Sequence, residues 1–72
     1  MFDFGAHLKE LRQSKNITQK HLAESLGLTE NGLQNYERNT RKPTYENLIA
    51  LANYFDVSLD YLVGRSDCSK RK

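Results

Sequence analysis

The chain is poor in the residues that carry most kinds of chemistry. Of its 72 residues one is cysteine, Cys68, one is proline, Pro43, and none is tryptophan. A single thiol excludes an internal disulfide, and no cysteine–histidine cluster has metal-site spacing. No apolar run approaches the roughly 20 residues that cross a bilayer, and the N-terminus lacks the blocks of a secretory signal. Glycine-rich phosphate loops, internal repeats and alternating strand patterns are missing too. His7 and His21 have no nucleophile pattern near them, and an exposed, solvated position is the preferred reading of His21. Enzymatic, metal-dependent and cofactor-dependent readings therefore fail for want of parts. What remains is a cytoplasmic protein of one domain, held by a small apolar core with or without a partner subunit.

Net charge is only +2, so bulk electrostatics argue weakly for any partner. Distribution says more. Arg38, Arg41 and Lys42 crowd one short connector, and Arg65, Lys70, Arg71 and Lys72 gather at the C-terminal end. Several acids, Glu30, Glu46 and Asp60, fall in first turns of expected helices, where they complement the helix dipole.

Apolar spacing predicts five helices. The first runs from Phe4 to Lys15, capped by Asp3, with Phe4, Leu8 and Leu11 inward and Asn16 as its stop. The second covers Gln19 to Leu26 behind a Thr18 cap, with Ile17 as a staple onto it. The third covers Glu30 to Arg38 behind Thr29, with Leu33 and Tyr36 inward. After a polar, basic connector from Asn39 to Pro43, Thr44 caps a fourth helix, Tyr45 to Phe55, whose buried stripe is Leu48, Leu51, Ala52 and Phe55. Val57 enters the core, Ser58 caps a fifth helix carrying Leu59, Leu62 and Val63, and Gly64 ends it. The expected division is a folded domain over residues 1–64 and a basic, mobile tail over 65–72.

The stretch from Thr18 to Arg38 is the most informative part. Leu22 and Leu26 share one helix face, and Gly27 supplies the positive φ that a sharp turn needs. Ala23 stands where a larger side chain would push the two helices apart. The arrangement is a helix-turn-helix, which leaves a polar helix free to enter a DNA major groove.

From Leu8 to Gly64 the chain resembles the DNA-binding domain of phage Cro and repressor proteins, the XRE-type helix-turn-helix family. The resemblance rests on ordered pieces: Leu11-Arg12, then Thr18-Gln19 with Leu22-Ala23 and Gly27, then Tyr36-Glu37, Arg41 with Pro43, and Val57-Ser58 with Leu62 and Gly64. Each is modest alone and specific in combination. It implies an all-α, compact five-helix lambda-repressor-like domain and a sequence-specific DNA-binding regulator, acting as a repressor of prokaryotic or phage type. Implied base contacts fall on Glu30, Asn31, Gln34 and Asn35. Asparagine pairs bidentately with adenine and glutamate accepts from cytosine N4, although Glu30 reads equally well as a helix-start acid. Gly32 replaces the family's usual small hydroxyl residue, either for close approach to the groove or as a tolerated poor helix former.

Implied phosphate contacts are Gln19, Arg41, Lys42, Thr44 and Tyr45, with Arg41 or Lys42 also placed to probe a minor groove. Arg12 and Glu37 match a family ion pair and are expected to be structural. The implied partner is double-stranded DNA bearing two-fold related half-sites, met by a homodimer. Tyr54, Tyr61 and Val63 are candidates for the dimer surface or, failing that, part of the monomer core. The competing reading is a protein-interaction module that docks an antirepressor, toxin or polymerase. Cys68 is either a reactive thiol or, preferably, an ordinary exposed cysteine.

Overall fold

Each of the five helices begins at a side chain that can accept a hydrogen bond and is followed by a residue that can reverse the chain. The computed structural model describes residues 2–65 and consists, over that span, of α1 (Phe4–Ser14), α2 (Gln19–Leu26), α3 (Glu30–Glu37), α4 (Tyr45–Phe55) and α5 (Leu59–Leu62). Asp3, Thr18, Thr29, Thr44 and Ser58 accept from the amides of Ala6, His21, Gly32, Asn47 and Tyr61 respectively, at 2.9–3.1 Å. A cap of this kind stabilises a helix by about 1 kcal/mol. At or just beyond the other ends stand Asn16, Gly27, Asn39, Asp56 and Gly64, all with φ between 56° and 81°. Lys15 and Arg38, expected inside helices, are instead the C-terminal caps of α1 and α3.

The core draws on every helix. Leu8, Leu22, Leu33, Leu51 and Leu62 are the largest fully buried side chains, joined by Ala23, Tyr36, Ala52, Phe55 and Val57. Burial of one leucine side chain contributes roughly 1.5–3 kcal/mol, so one leucine from each helix accounts for much of what holds so short a chain. Phe4, Leu11, Leu26, Leu48 and Leu59 pack around this centre, half-buried and at the helical spacing expected of them, and Ile17, ahead of α2, and Tyr61 join them. α3 lies against both α1 and α2, while α4 meets α2 and α5.

Two contacts were not foreseen. His7 is not a bare surface histidine: its ring meets Phe2 and Tyr61 edge-on, with centroids 5.4 and 5.0 Å apart. His21, by contrast, is exposed. Gly5 is buried, and its α-carbon presses so closely on the end of α3 that an added Cβ would stand 2.2 Å from the carbonyl oxygen of Glu37. Of the expected tail over 65–72, Arg65 is described, its amide donating to the Asp60 carbonyl at 2.7 Å, whereas Cys68, Lys70, Arg71 and Lys72 lie outside the described residues.

Candidate nucleic-acid interface

The position of α3 is fixed on its inner side first. Leu33 and Tyr36 are buried, and the Tyr36 hydroxyl oxygen accepts from Asn47 Nδ2 of α4 at 3.0 Å. Glu37 closes the helix with its side chain turned inward, only 4% exposed. Arg12 meets it as a fork, donating from Nε to Oε2 at 2.7 Å and from Nη2 to Oε1 at 3.2 Å. The remaining Arg12 nitrogen, Nη1, donates to the carbonyl of Ile17 at 2.9 Å. Gln19 adds a third donor, its Nε2 lying 3.0 Å from Glu37 Oε1. A carboxylate removed from water needs this degree of saturation. One cluster thereby ties the end of α1, the start of α2 and the end of α3, and it cancels the charge of Glu37 inside the domain.

The turn between α2 and α3 sets the angle at which α3 leaves. Gly27 adopts φ 71°, a conformation that costs a residue with a Cβ roughly 1–2 kcal/mol. The Leu28 amide then donates to the Ala23 carbonyl at 2.8 Å. Ala23 is 1% exposed, so the two helices approach over a methyl group.

With its inner face committed, α3 presents the opposite one. Glu30 and Asn31 are exposed, and Gln34 and Asn35 are half-exposed on the same helix. All four residues assigned to base reading therefore reach the surface. Asn35 is partly occupied, because Thr40 Oγ1 donates to its carbonyl oxygen at 3.1 Å and to its Oδ1 at 3.3 Å. At Gly32 an added Cβ would lie 3.1 Å from Thr29 Oγ1, the atom that caps α3 through the Gly32 amide, a tight contact that a shift of a few tenths of an ångström would relieve.

The connector from Asn39 to Pro43 wraps back over the last turn of α3. The amides of Thr40 and Arg41 both donate to the Asn35 carbonyl, at 3.0 and 3.3 Å. Arg38, Arg41 and Lys42 project from this region exposed, beside the exposed Thr44 and Tyr45 that open α4. Tyr45 is 69% exposed, against 45% for Phe2 and 36% for Ile49. Gln19 differs from the other phosphate candidates. It stands at the start of α2 as expected, but its side-chain amide is engaged by Glu37, which leaves it half-buried and oriented rather than free.

The sequence marks Asn39 only as the first residue of a polar connector. It has φ 63°, and its side chain bridges back to the far end of the chain. Asn39 Oδ1 accepts from the Gly5 amide at 2.9 Å, and Asn39 Nδ2 donates to Asp3 Oδ1 at 2.7 Å. Asp3 in turn caps Ala6, and that amide, followed by the Asn39 contact, holds its carboxyl below the usual carboxylate range. The available signals were a glycine inside an amphipathic helix and an asparagine directly after one. Sequence alone gives no hint that the two meet. Among the described residues no group of His, Cys, Asp or Glu could hold a metal ion, and no helix is long and apolar enough to cross a membrane.

Known proteins share this arrangement. The P22 c2 repressor, solved in complex with a synthetic operator, superposes with a TM-score of 0.84 at 27% identity, over 92% of this chain and all of that one. The restriction-modification controller protein C.AhdI of Aeromonas hydrophila gives a TM-score of 0.78 at 33% identity, over 83% of this chain and 91% of its own. In sequence, the HTH-type transcriptional regulator ImmR of Bacillus subtilis is 46% identical over 67 residues, which are 93% of this chain and 53% of ImmR. The chain thus spans about half the length of the curated relatives it matches. The helix-turn-helix family model matches residues 8–62, and with all five helices in place the chain belongs to the helix-turn-helix family of XRE (Cro/C1) type.

Proposed function

We propose that this domain reads double-stranded operator DNA for a transcriptional repressor of prokaryotic or phage type. One observation carries the reading. The outward face of α3 offers four amide and carboxylate side chains, while exposed cations and two helix N-termini flank it. In this arrangement α3 enters the major groove. Asn31 and Asn35 pair with adenine edges, and Gln34 reads beside them. Glu30 either accepts from a cytosine or serves only the helix start.

The α2 start with Gln19, the α4 start with Thr44 and Tyr45, and Arg41 and Lys42 meet backbone phosphates, where free amides, dipole and charge favour an anion. That the P22 c2 repressor, which shares this fold, was solved in complex with a synthetic operator supports DNA as the partner.

One reading helix covers only a few base pairs, so two copies on half-sites about 34 Å apart are required for useful specificity. Tyr54, Tyr61 and Val63, each half-buried, are the candidates for that pairing surface, with Tyr54 and Tyr61 also packed against the core. Selection of bound sequences from random duplexes, followed by titration over a range of salt, tests the proposal. A recovered two-fold consensus and a log–log salt slope of about −0.9 per phosphate contact are expected. No consensus together with flat salt dependence refutes it and returns the fold to a protein-docking role.

A further inference from the structure

The first helical turn of α1 is not satisfied by its own sequence alone. An α-helix leaves its initial amides without partners, and a single N-cap side chain serves only part of them. Asp3 takes the Ala6 amide at 2.9 Å. The Gly5 amide is taken by Asn39 Oδ1, from 34 positions along the chain, at 2.9 Å. The other end of the same side chain, Nδ2, donates to Asp3 at 2.7 Å. Asn39 therefore completes the cap of α1 with both of its polar atoms engaged. The approach depends on Gly5, because any Cβ at that position would collide with the Glu37 and Tyr36 carbonyls.

Asn39 is also the pivot at which the chain swings off α3. Its φ of 63° turns the backbone, and Arg41 and Lys42 follow within three residues. Glycine at a left-handed pivot would meet the same φ freely, yet it would also sample many other angles. An asparagine held by two hydrogen bonds cannot. We propose that Asp3 and Asn39 are positioning residues of the DNA interface: together they clamp the pivot to α1 and so hold Arg41 and Lys42 at the phosphates. The inference rests on the DNA-binding reading above. It assigns a role in that reading to the N-terminal residues, which no base or phosphate contact had included.

Three variants separate positioning from mere stability. Asn39→Gly keeps the backbone turn and removes both bonds. Asp3→Ser keeps an oxygen for the Ala6 amide but is one bond too short for Asn39. Asp3→Asn keeps an acceptor for both partners. Affinity for a selected duplex is measured at several salt concentrations and at a temperature where circular dichroism shows all variants folded. Asn39→Gly and Asp3→Ser should bind several-fold more weakly on every sequence alike, with a salt slope shallower by about 1 for each of Arg41 and Lys42 released, up to about 2 for both. Asp3→Asn should retain the slope of the parent. Arg41→Ala and Asn39→Gly should be non-additive, the double variant falling short of the product of the two losses. A steep parental slope left intact in Asn39→Gly, or full additivity with Arg41→Ala, overturns the clamp. A flat slope in the parent itself overturns the DNA reading instead.

Discussion

Replacing Gly5 by alanine sets two physical effects against each other, and the geometry decides which wins. On helix propensity alone the substitution should stabilise α1 by about 0.5–1 kcal/mol. The added Cβ, however, would lie 2.2 Å from the Glu37 carbonyl oxygen, 2.7 Å from its carbon and 2.9 Å from the Tyr36 oxygen. Real Cβ atoms essentially never come within 3.0 Å of such neighbours, so α1 must retreat by at least 0.8 Å, the difference between 3.0 and 2.2 Å. All three obstacles are backbone atoms in the last turn of α3, and no rotamer change relieves them.

Overpacking of this kind costs about 1–3 kcal/mol, and a rigid obstacle puts the cost at the upper end. The same retreat stretches the 2.9 Å bond from the Gly5 amide to Asn39 beyond hydrogen-bonding range, at a further cost of about 1 kcal/mol. Net destabilisation should be about 2–4 kcal/mol after the propensity gain. For a domain of this size that lowers the Tm by roughly 10–25 °C. Urea and thermal unfolding followed at 222 nm measure it, with Ala6→Gly as a control in the same turn, expected to lose no more than about 1 kcal/mol. If Gly5→Ala matches or exceeds the parent in stability, the close approach of α1 to α3 is refuted, because propensity would then have prevailed unopposed.

Arg12→Ala should cost about 3–5 kcal/mol in the same unfolding experiment, since it strands the buried Glu37 carboxylate, whereas replacing both by apolar residues of similar size should come close to neutral. Asp3 gives a pH dependence of known sign: its carboxyl is lowered in the fold, so its contribution is present above the unfolded value of about 3.9 and is lost as pH falls through the folded one. Acid unfolding curves should show a loss of stability below about pH 4 that is smaller in Asp3→Asn, and identical acid limbs would contradict it. On DNA, Asn31→Ala should relax preference at one base pair by about 1–3 kcal/mol, read by competition between sequence variants. Lys42→Ala should weaken all duplexes alike and make the salt slope shallower by about 1.

The sequence carried the helices because their signals are local. A hydroxyl or carboxylate before each apolar stripe, and a residue tolerant of positive φ after it, can be found without knowing what packs on what. Arg12 and Glu37 were legible for a related reason, as each sits four residues from a core leucine, so both point inward, and their resemblance to a family pair supplied the partner. Gly5, Asn39 and Asp3 were not legible as a set. Their interaction depends on how closely the first turn of α1 meets the last turn of α3, and nothing local in either segment records that distance. His7 was missed likewise, because its aromatic neighbours come from the N-terminal segment and from α5. In the candidate interface, the outward residues of α3 follow from helical phase, while the capture of Gln19 by Glu37 required the packed structure.

The inner face of α3 anchors the helix in the domain through Leu33, Tyr36 and Glu37. Glu30, Asn31 and Gln34 face away from that work. Substitutions there are consequently cheap for the fold, which lets a lineage of such domains acquire new operators by drift and selection without first gaining spare stability. Asn35 is the exception, since its side chain also receives Thr40. Across natural variants that recognise different operators, positions 30, 31 and 34 should diversify freely, while positions 35 and 40 change together.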